Sequence, residues 1–325
     1  MTLKHDPDFF KAFAPLIPAL AAAPPPGLHD INAYRQGFET GISLLTNLTP
    51  WESPDVEQQE HKFTTSAGIE LSIYSFIKKS AATPGTPGPA ICHFHGGGMI
   101  LGNVAQQAKG LAYHVQLTGV PYFSVEYRLA PESKGTNLVE DCYAGLEWLS
   151  KNAAKFNVDP ARIAVSGESA GGGLAAGTAL MARDKGLSPP LAKQILIYPM
   201  LDDRNLTANE KLEPFAFWKN NDNITAWTAL LGEEKAGKPD ADVSYYCAPA
   251  RAKSLKGLPP TYIDIGGLDI FRDEDFEYAS RLAKEDIEVE FHVYPGVPHA
   301  FELLAPTCIP TQKAMANRVR ALQSF

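Results

Sequence analysis

The sequence is poor in cysteine. Its 325 residues include four cysteines, and no two of them form a C-x-x-C pair. Single, widely separated cysteines indicate neither a zinc ribbon nor a disulfide framework. The four residues are therefore interpreted as free thiols: Cys92, Cys142, Cys247 and Cys308.

Long apolar runs are also missing. The apolar run near the N-terminus, from Leu16 to Ala23, contains Pro18 and is followed by three more prolines. A membrane span needs about 20 predominantly apolar residues. We therefore expect no signal peptide, no integral membrane contact and a cytoplasmic protein.

Basic residues do not predominate. Lys and Arg number 29 against 37 Asp and Glu, which gives a net charge of -8. This balance disfavours a nucleic-acid-binding surface or a surface for anionic membranes. We expect a small neutral or apolar molecule as the partner, and a homodimer is left open. The length allows two domains or one large α/β unit with an insertion.

Short apolar runs alternate with helical patterns over most of the chain. A period-two strand is predicted from Ile69 to Ile77. Strands buried on both faces are predicted at 90–94, 121–125, 162–165, 194–198 and 261–265. Helices are predicted between them at 106–118, 138–156 and 170–185, and after the last of them at 273–284. The alternation indicates a doubly wound α/β fold with a parallel sheet.

Two segments interrupt this alternation. Residues 1–55 precede the first predicted strand, and residues 206–246 separate two later strands. The second segment carries aromatic residues at roughly helical spacing, namely Phe215, Phe217, Trp218 and Trp227. The pattern fits equally well a cap over a ligand site and a helix packed on the body.

A G-x-S-x-G motif lies between a predicted strand and a predicted helix. It runs from Gly167 to Gly171 and places Ser169 at the turn. Glycines are needed there because the strand and helix approach closely around a strained nucleophile. Ser169 is therefore the predicted nucleophile.

A second motif, His95-Gly96-Gly97-Gly98, follows the strand at 90–94. A glycine run lets backbone N–H groups turn toward a developing oxyanion. We predict that the N–H groups of Gly96, Gly97 and Ala170 form this oxyanion hole. His93 and His95 also form an H-x-H pair, but no further ligand residue follows nearby, so no metal and no cofactor are expected.

A serine nucleophile needs a base and an acid that orients the base. Two histidines follow Ser169. His292 lies on the polar face of a predicted strand, whereas His299 lies in the loop after that strand, so His299 is favoured. Asp269 follows the preceding strand and is the favoured acid. Its competitors, one strand earlier, are Asp202 and Asp203.

These elements together resemble the hormone-sensitive-lipase-like family of α/β-hydrolase carboxylesterases, over essentially Pro89 to Phe301. The resemblance includes the run from Tyr127 to Glu132, Asp141-Cys142, and Asp269 followed by Asp273-Glu274. It implies an α/β-hydrolase fold with a mostly parallel sheet, helices on both faces and a helical cap. The implied catalytic domain is 56–205 with 247–325, and the implied cap is 1–55 with 206–246.

The resemblance implies a metal-free serine esterase, which we expect to hydrolyse short- to medium-chain esters through an acyl-enzyme. Met99 stands where the family often has an aromatic residue, and Met99, Phe215 and Trp218 are predicted to line the substrate pocket. A lactonase or amidase acting on a specialised metabolite is a second hypothesis. A non-catalytic ligand-binding protein is a third, disfavoured because all three triad residues are present.

Overall fold

A computed structural model describes residues 3–22, 24–82 and 85–325 of the chain. Its strands are β1 (Val56–Thr64), β2 (Glu70–Lys78), β3 (Gly88–Phe94), β4 (Tyr122–Glu126), β5 (Val158–Glu168), β6 (Lys193–Ile197), β7 (Thr261–Gly266) and β8 (Val289–Tyr294). In these described residues the strands form one sheet in the order β1-β2-β4-β3-β5-β6-β7-β8. Strand β2 is antiparallel to both of its neighbours, and the remaining pairs are parallel. The predicted α/β class with a mostly parallel sheet is confirmed.

Helices connect the parallel strands. The helices are α1 (Pro7–Phe13), α2 (Ile17–Leu20), α3 (Ile31–Leu48), α4 (Val104–Thr118), α5 (Asn137–Asn152), α6 (Ala170–Asp184), α7 (Asn220–Leu231), α8 (Arg272–Lys284), α9 (Phe301–Leu304) and α10 (Ile309–Leu322), of which α4 to α8 connect the successive strands from β3 to β8. Parallel strands require such crossover connections, because a tight turn cannot join them. The predicted helices at 106–118, 138–156, 170–185 and 273–284 correspond to α4, α5, α6 and α8.

Local sequence signals explain where the helices begin and end. The Asn103 side chain accepts a hydrogen bond from the Gln106 amide (2.9 Å), which caps the start of α4. Gly119, with φ of +75°, ends the same helix in the left-handed conformation. Helix α6 is buried from Ala170 to Ala182, which places it against the sheet directly behind the predicted nucleophile.

Strand β1 is absent from the prediction, which set the first strand at 69–77. Its sequence, VEQQEHKFT, is mostly exposed and lacks an apolar run. The strand lies at the edge of the sheet and pairs with β2 alone. An edge strand of this kind is held by backbone pairing more than by burial, so hydrophobic periodicity does not reveal it.

The two segments outside the strand and helix alternation contain helices that contact each other. Helices α1, α2 and α3 lie within 1–55, of which residues 1, 2 and 23 are outside the described part, and α7 lies within 206–246. The Tyr34 hydroxyl donates to Asp222 (2.9 Å), and the His29 amide donates to the Thr225 hydroxyl (3.1 Å). Their role as one cap stays a prediction.

None of the helices among the described residues is both long enough and apolar enough to cross a lipid bilayer.

Candidate active site

Ser169 lies at a sharp turn between β5 and α6. Its φ of +58° and ψ of -121° are strained for a residue with a side chain. The turn is tight enough that a Cβ on Gly171 would lie 2.0 Å from the Phe94 carbonyl oxygen. Glycine is therefore required at position 171, which explains the G-x-S-x-G spacing.

Ser169, His299 and Asp269 form one chain of hydrogen bonds. His299 Nε2 is 2.9 Å from Ser169 Oγ, and His299 Nδ1 is 2.6 Å from Asp269 Oδ2. A carboxylate accepts a hydrogen bond from Nδ1–H, so the unprotonated Nε2 is left to accept the serine proton. Their exposed fractions are 7% for Ser169, 5% for His299 and 0% for Asp269. The arrangement is one in which the imidazole can deprotonate the serine hydroxyl.

The competing candidates are engaged elsewhere. Asp202 accepts two hydrogen bonds from Arg204 (2.7 and 2.8 Å), and Asp203 accepts from Arg251 Nη2 (2.8 Å). His292 lies 2.6 Å from Glu290 on the same strand. Asp202, Asp203 and His292 therefore form no hydrogen bond with Ser169, His299 or Asp269 among the described residues.

Two of the predicted oxyanion-hole residues, Gly96 and Ala170, lie beside Ser169. A Cβ on Gly96 would be 3.6 Å from the Ser169 Cβ, which places this backbone next to the nucleophile. Within residues 85–325, the Gly96 and Gly97 amides donate to no protein group. Ala170 is the first residue of α6, where a helix leaves its amide without an intrahelical partner. The three amides thus have no protein partner among the described residues, and their role as an oxyanion hole stays a prediction.

His95 fixes the glycine run, a role that the sequence reasoning missed. Its Nδ1 is 2.8 Å from the Gly96 carbonyl oxygen, and its ring stacks on Tyr127 with centroids 4.2 Å apart. The Tyr127 hydroxyl donates to the His95 carbonyl oxygen (2.7 Å). Burial lowers the pKa of His95 to about 4, so its ring is neutral at physiological pH.

His93 is occupied by protein groups on both ring nitrogens. Its Nδ1 is 2.9 Å from the Ser124 hydroxyl, and its Nε2 is 2.8 Å from the Glu168 carboxylate. Glu168 is the residue before the predicted nucleophile, so this contact links His93 to the turn that carries Ser169. His93 of the H-x-H pair therefore has a structural role. Its position near the end of a buried strand did not predict these hydrogen bonds.

The three predicted pocket residues occupy different surroundings. A Cβ on Gly98 would lie 2.5 Å from the Trp218 ring, so this half-buried indole covers the glycine run. The Phe215 ring is 5.1 Å from His5 of the N-terminal segment. Met99 is 1% exposed and packs in the core. Trp218 is therefore the pocket candidate that adjoins the oxyanion loop.

The N-terminal segment packs against the loop that carries His299. The Asp6 amide donates to the Gly296 carbonyl oxygen (2.8 Å). Phe9 is fully buried in a cluster with Val297 and Phe301. Sequence reasoning did not find this contact, because α1 and the loop are almost 300 residues apart.

Comparisons with known proteins agree with this geometry. A family model described as alpha/beta hydrolase fold matches residues 91–303. Esterase LipI of Mycobacterium tuberculosis is 35% identical over 233 residues, which is 71% of this chain and 70% of that protein. Carboxylesterase NlhH of the same organism is 34% identical over 249 residues, covering 73% of this chain and 75% of that protein.

Solved structures extend the similarity to nearly the whole chain. A structure titled bacterial heroin esterase has a TM-score of 0.86 and 34% identity, and covers 98% of this chain and 97% of its own. A hyperthermophilic esterase from the archaeon Pyrobaculum calidifontis has a TM-score of 0.82 and 28% identity, and covers 100% of this chain and 99% of its own.

Proposed function

The chain belongs to the hormone-sensitive-lipase-like family of α/β-hydrolase carboxylesterases, and from that premise we propose that Ser169, His299 and Asp269 carry out its carboxylic ester hydrolysis. The observation that carries this assignment is the continuous hydrogen-bonded chain from Ser169 Oγ to Asp269 Oδ2. Gly96 and Ala170 adjoin Ser169, and among the described residues their amides have no protein partner, which supports an oxyanion site there. A nucleophile, a base with its orienting acid and an oxyanion site are the parts that acyl transfer to serine requires.

The reaction proceeds in two halves. Ser169 Oγ attacks the ester carbonyl carbon while its proton passes to His299 Nε2. The carbonyl oxygen becomes an oxyanion, which the amides of Gly96, Gly97 and Ala170 stabilise. The intermediate collapses as the C–O bond to the alcohol breaks and His299 returns the proton to that alcohol.

The second half regenerates the serine. Water gives a proton to His299 Nε2 and attacks the acyl-enzyme, and a second oxyanion forms at the same amides. Its collapse releases the carboxylic acid as Ser169 Oγ recovers the proton. Throughout, Asp269 accepts a hydrogen bond from the Nδ1–H group of His299 and favours the charged imidazole in both transition states.

We propose esters with short to medium acyl chains as substrates. The support is steric, because the Trp218 ring lies against Gly98 and restricts the space next to the oxyanion amides. The segments 1–55 and 206–246 are proposed to form a cap over the catalytic residues of 56–205 and 247–325. Contacts of Asp6 with the His299 loop and of Trp218 with the glycine run support that division.

Fluorophosphonate labelling tests the assignment directly. We expect labelling at Ser169, together with turnover of p-nitrophenyl esters from acetate to decanoate that disappears in Ser169→Ala. Ser133→Ala is the matched control, since Ser133 is buried but its hydroxyl has no partner among the described residues. Labelling without ester turnover would indicate a lactone or amide substrate. An unlabelled folded protein would contradict a catalytic role.

We propose a cytoplasmic location because the four cysteines are all free and buried, as in proteins of reducing compartments. Cell fractionation with a marker for each compartment tests this.

We propose a homodimer as one possible assembly of the protein. Sedimentation equilibrium at micromolar concentration distinguishes a homodimer from a monomer.

A further inference from the structure

Five buried polar side chains lie behind His299 and take no part in the steps above. They are Tyr198, Tyr262, Asp264, Glu302 and Arg318. The Tyr262 hydroxyl donates to Asp264 (2.9 Å), and Arg318 donates to both oxygens of the same carboxylate (2.7 and 2.9 Å). Arg318 Nη1 also lies 3.1 Å from Glu302 Oε1, the atom that accepts from the Tyr198 hydroxyl. The five side chains are one connected network.

Tyr198 joins this network to the imidazole. Its ring centroid is 4.6 Å from that of His299, at an interplanar angle of 63°. Glu302 lies on α9, which begins two residues after His299. The same short segment therefore carries the imidazole and the carboxylate that binds the Tyr198 hydroxyl. The backbone of Tyr198 and its hydroxyl are thus both bound, and between them the tyrosine ring contacts the ring of His299.

The backbone supports the same placement. Tyr198 has a φ of +34°, an uncommon value for a residue with a side chain. Its amide donates to the Asp264 carbonyl oxygen (2.7 Å). Asp264 thus binds the tyrosine through its backbone and Arg318 through its side chain. A strained conformation that several contacts hold in place is typical of residues that position functional groups.

The network also carries charge. One guanidinium faces two carboxylates, which leaves one excess negative charge at a site where Arg318 is 3% and Glu302 5% exposed. Solvent screens such buried charges little. In the described part of the chain, the other charged or titratable side chains around the imidazole are Asp269 in contact, Glu168 next to Ser169, Asp275 beyond Asp269, and His5 beside Gly296.

We propose that Tyr198, anchored by Glu302 and Arg318, is a positioning residue for His299, and that the excess negative charge of the network supports the imidazolium formed during turnover. The inference rests on the proposed role of His299 as the base. A purely structural ion pair would stabilise the fold equally well but would leave the kinetics of the folded enzyme unchanged.

Two conservative substitutions separate these roles. Tyr198→Phe keeps the ring and removes the hydroxyl that binds Glu302. We expect kcat for p-nitrophenyl acetate to fall about tenfold, because small displacements of a catalytic group are costly in rate, with KM within about twofold. Glu302→Gln keeps the shape and removes the charge. We expect the acidic limb of its kcat/KM profile to move about 0.5 pH unit lower, since imidazolium loses support.

Tyr278→Phe is the matched control. Tyr278 is also buried, on α8, but its hydroxyl has no hydrogen-bond partner among the described residues and so is not joined to the network. We expect its kcat and pH profile to match those of the unmodified enzyme. Circular dichroism and thermal unfolding of every variant show that folded protein is being compared.

The outcomes are distinct. Unchanged kcat in Tyr198→Phe, or a loss equal to that of Tyr278→Phe, overturns the positioning role. An unmoved acidic limb in folded Glu302→Gln overturns the electrostatic role, and if that variant does not fold, Tyr198→Phe decides for the network. Ser169→Ala and His299→Gln run alongside: turnover retained in these would contradict the triad itself, whereas turnover lost in them with silent network variants contradicts the network alone.

Discussion

Asp275 offers a stability prediction with a definite dependence on pH. It lies in the first turn of α8, is 0% exposed, and neither carboxyl oxygen has a hydrogen-bond partner among the described residues. Burial, assisted by the charges of Glu274, Asp269 and Asp264, raises its pKa well above the ordinary value. The helix N-terminus favours the ionised form by about 1 kcal/mol at most. Desolvation of a buried carboxylate costs several kcal/mol, so the proton is retained.

The sign follows from comparing the folded and unfolded chains. An unfolded aspartate releases its proton near pH 4, while the folded protein keeps the Asp275 proton to higher pH. The contribution of Asp275 to folding is therefore most favourable below pH 4 and declines as the pH rises toward its folded-state pKa. The limiting slope is about 1.4 kcal/mol per pH unit. An amide at this position does not titrate and escapes the decline.

We therefore predict that Asp275→Asn gains stability over the unmodified protein as the pH rises above about 4, at a rate of no more than about 1.4 kcal/mol per pH unit. Urea unfolding followed by tryptophan fluorescence at three pH values measures the difference. Asp273→Asn is the control, because the Asp273 side chain is exposed and pairs with Arg272 at the surface (2.8 Å). A pH-independent difference for Asp275→Asn, or one that shrinks as pH rises, refutes the reasoning.

Two further predictions concern the site and its turn. Trp218→Ala should raise the ratio of kcat/KM for p-nitrophenyl octanoate to that for acetate about tenfold, because it opens the space next to Gly98. The control is Phe217→Ala, which should leave the ratio unchanged because Phe217 is 39% exposed. An equal shift in both variants would contradict a pocket role for Trp218. Gly171→Ala should cost about 3 kcal/mol or more in urea unfolding, since its Cβ would lie 2.0 Å from the Phe94 carbonyl oxygen. Gly41→Ala, in a helix with nothing within 4 Å, should instead gain up to about 1 kcal/mol, and similar values for the two would show that the turn is not tight.

The sheet could be predicted where strands are buried on both faces. The runs at 90–94, 194–198 and 261–265 are short and apolar because helices cover them on each side. Their counterparts β3, β6 and β7 differ from the prediction by one or two residues at the ends. Strand β1 could not be found in the same way, since its polar side chains face solvent and one neighbour alone pairs with it.

The candidate site was predictable because its residues follow strands. Ser169, Asp269 and His299 come after β5, β7 and β8, which are parallel, so their carboxyl ends meet at one edge of the sheet. The side chains on helices that form the network behind His299 could not be predicted in this way. Glu302 and Arg318 are charged residues in helical segments, a pattern that usually indicates a solvated face. Glu302 and Arg318 are buried because separate helices pack together around them. The periodicity of one helix does not predict which other helix it packs against.

The mutual placement of Asp269 and His299 has a physical cause in the loops that carry them. The Gly267 amide donates to the Tyr294 carbonyl oxygen (2.7 Å), and the Leu268 amide donates to the Val297 carbonyl oxygen (3.0 Å). The acid loop and the base loop are therefore bound backbone to backbone immediately before each functional residue. The main-chain geometry thus brings the Asp269 carboxylate within reach of the His299 imidazole, which it contacts at 2.6 Å.

That backbone link leaves one freedom unrestrained, the rotation of the imidazole about its side-chain bonds. The hydrogen bond to Asp269 restrains it at one nitrogen, and Phe271 contacts the ring at 5.2 Å and 83°. The Tyr198 ring supplies a further contact, and its own position depends on Glu302 and, through that carboxylate, on Arg318 of α10. Arg318, 19 residues beyond His299, thus reaches the imidazole through Glu302 and Tyr198. Asp269, in contrast, is placed by its loop after β7 and by the backbone contacts of that loop.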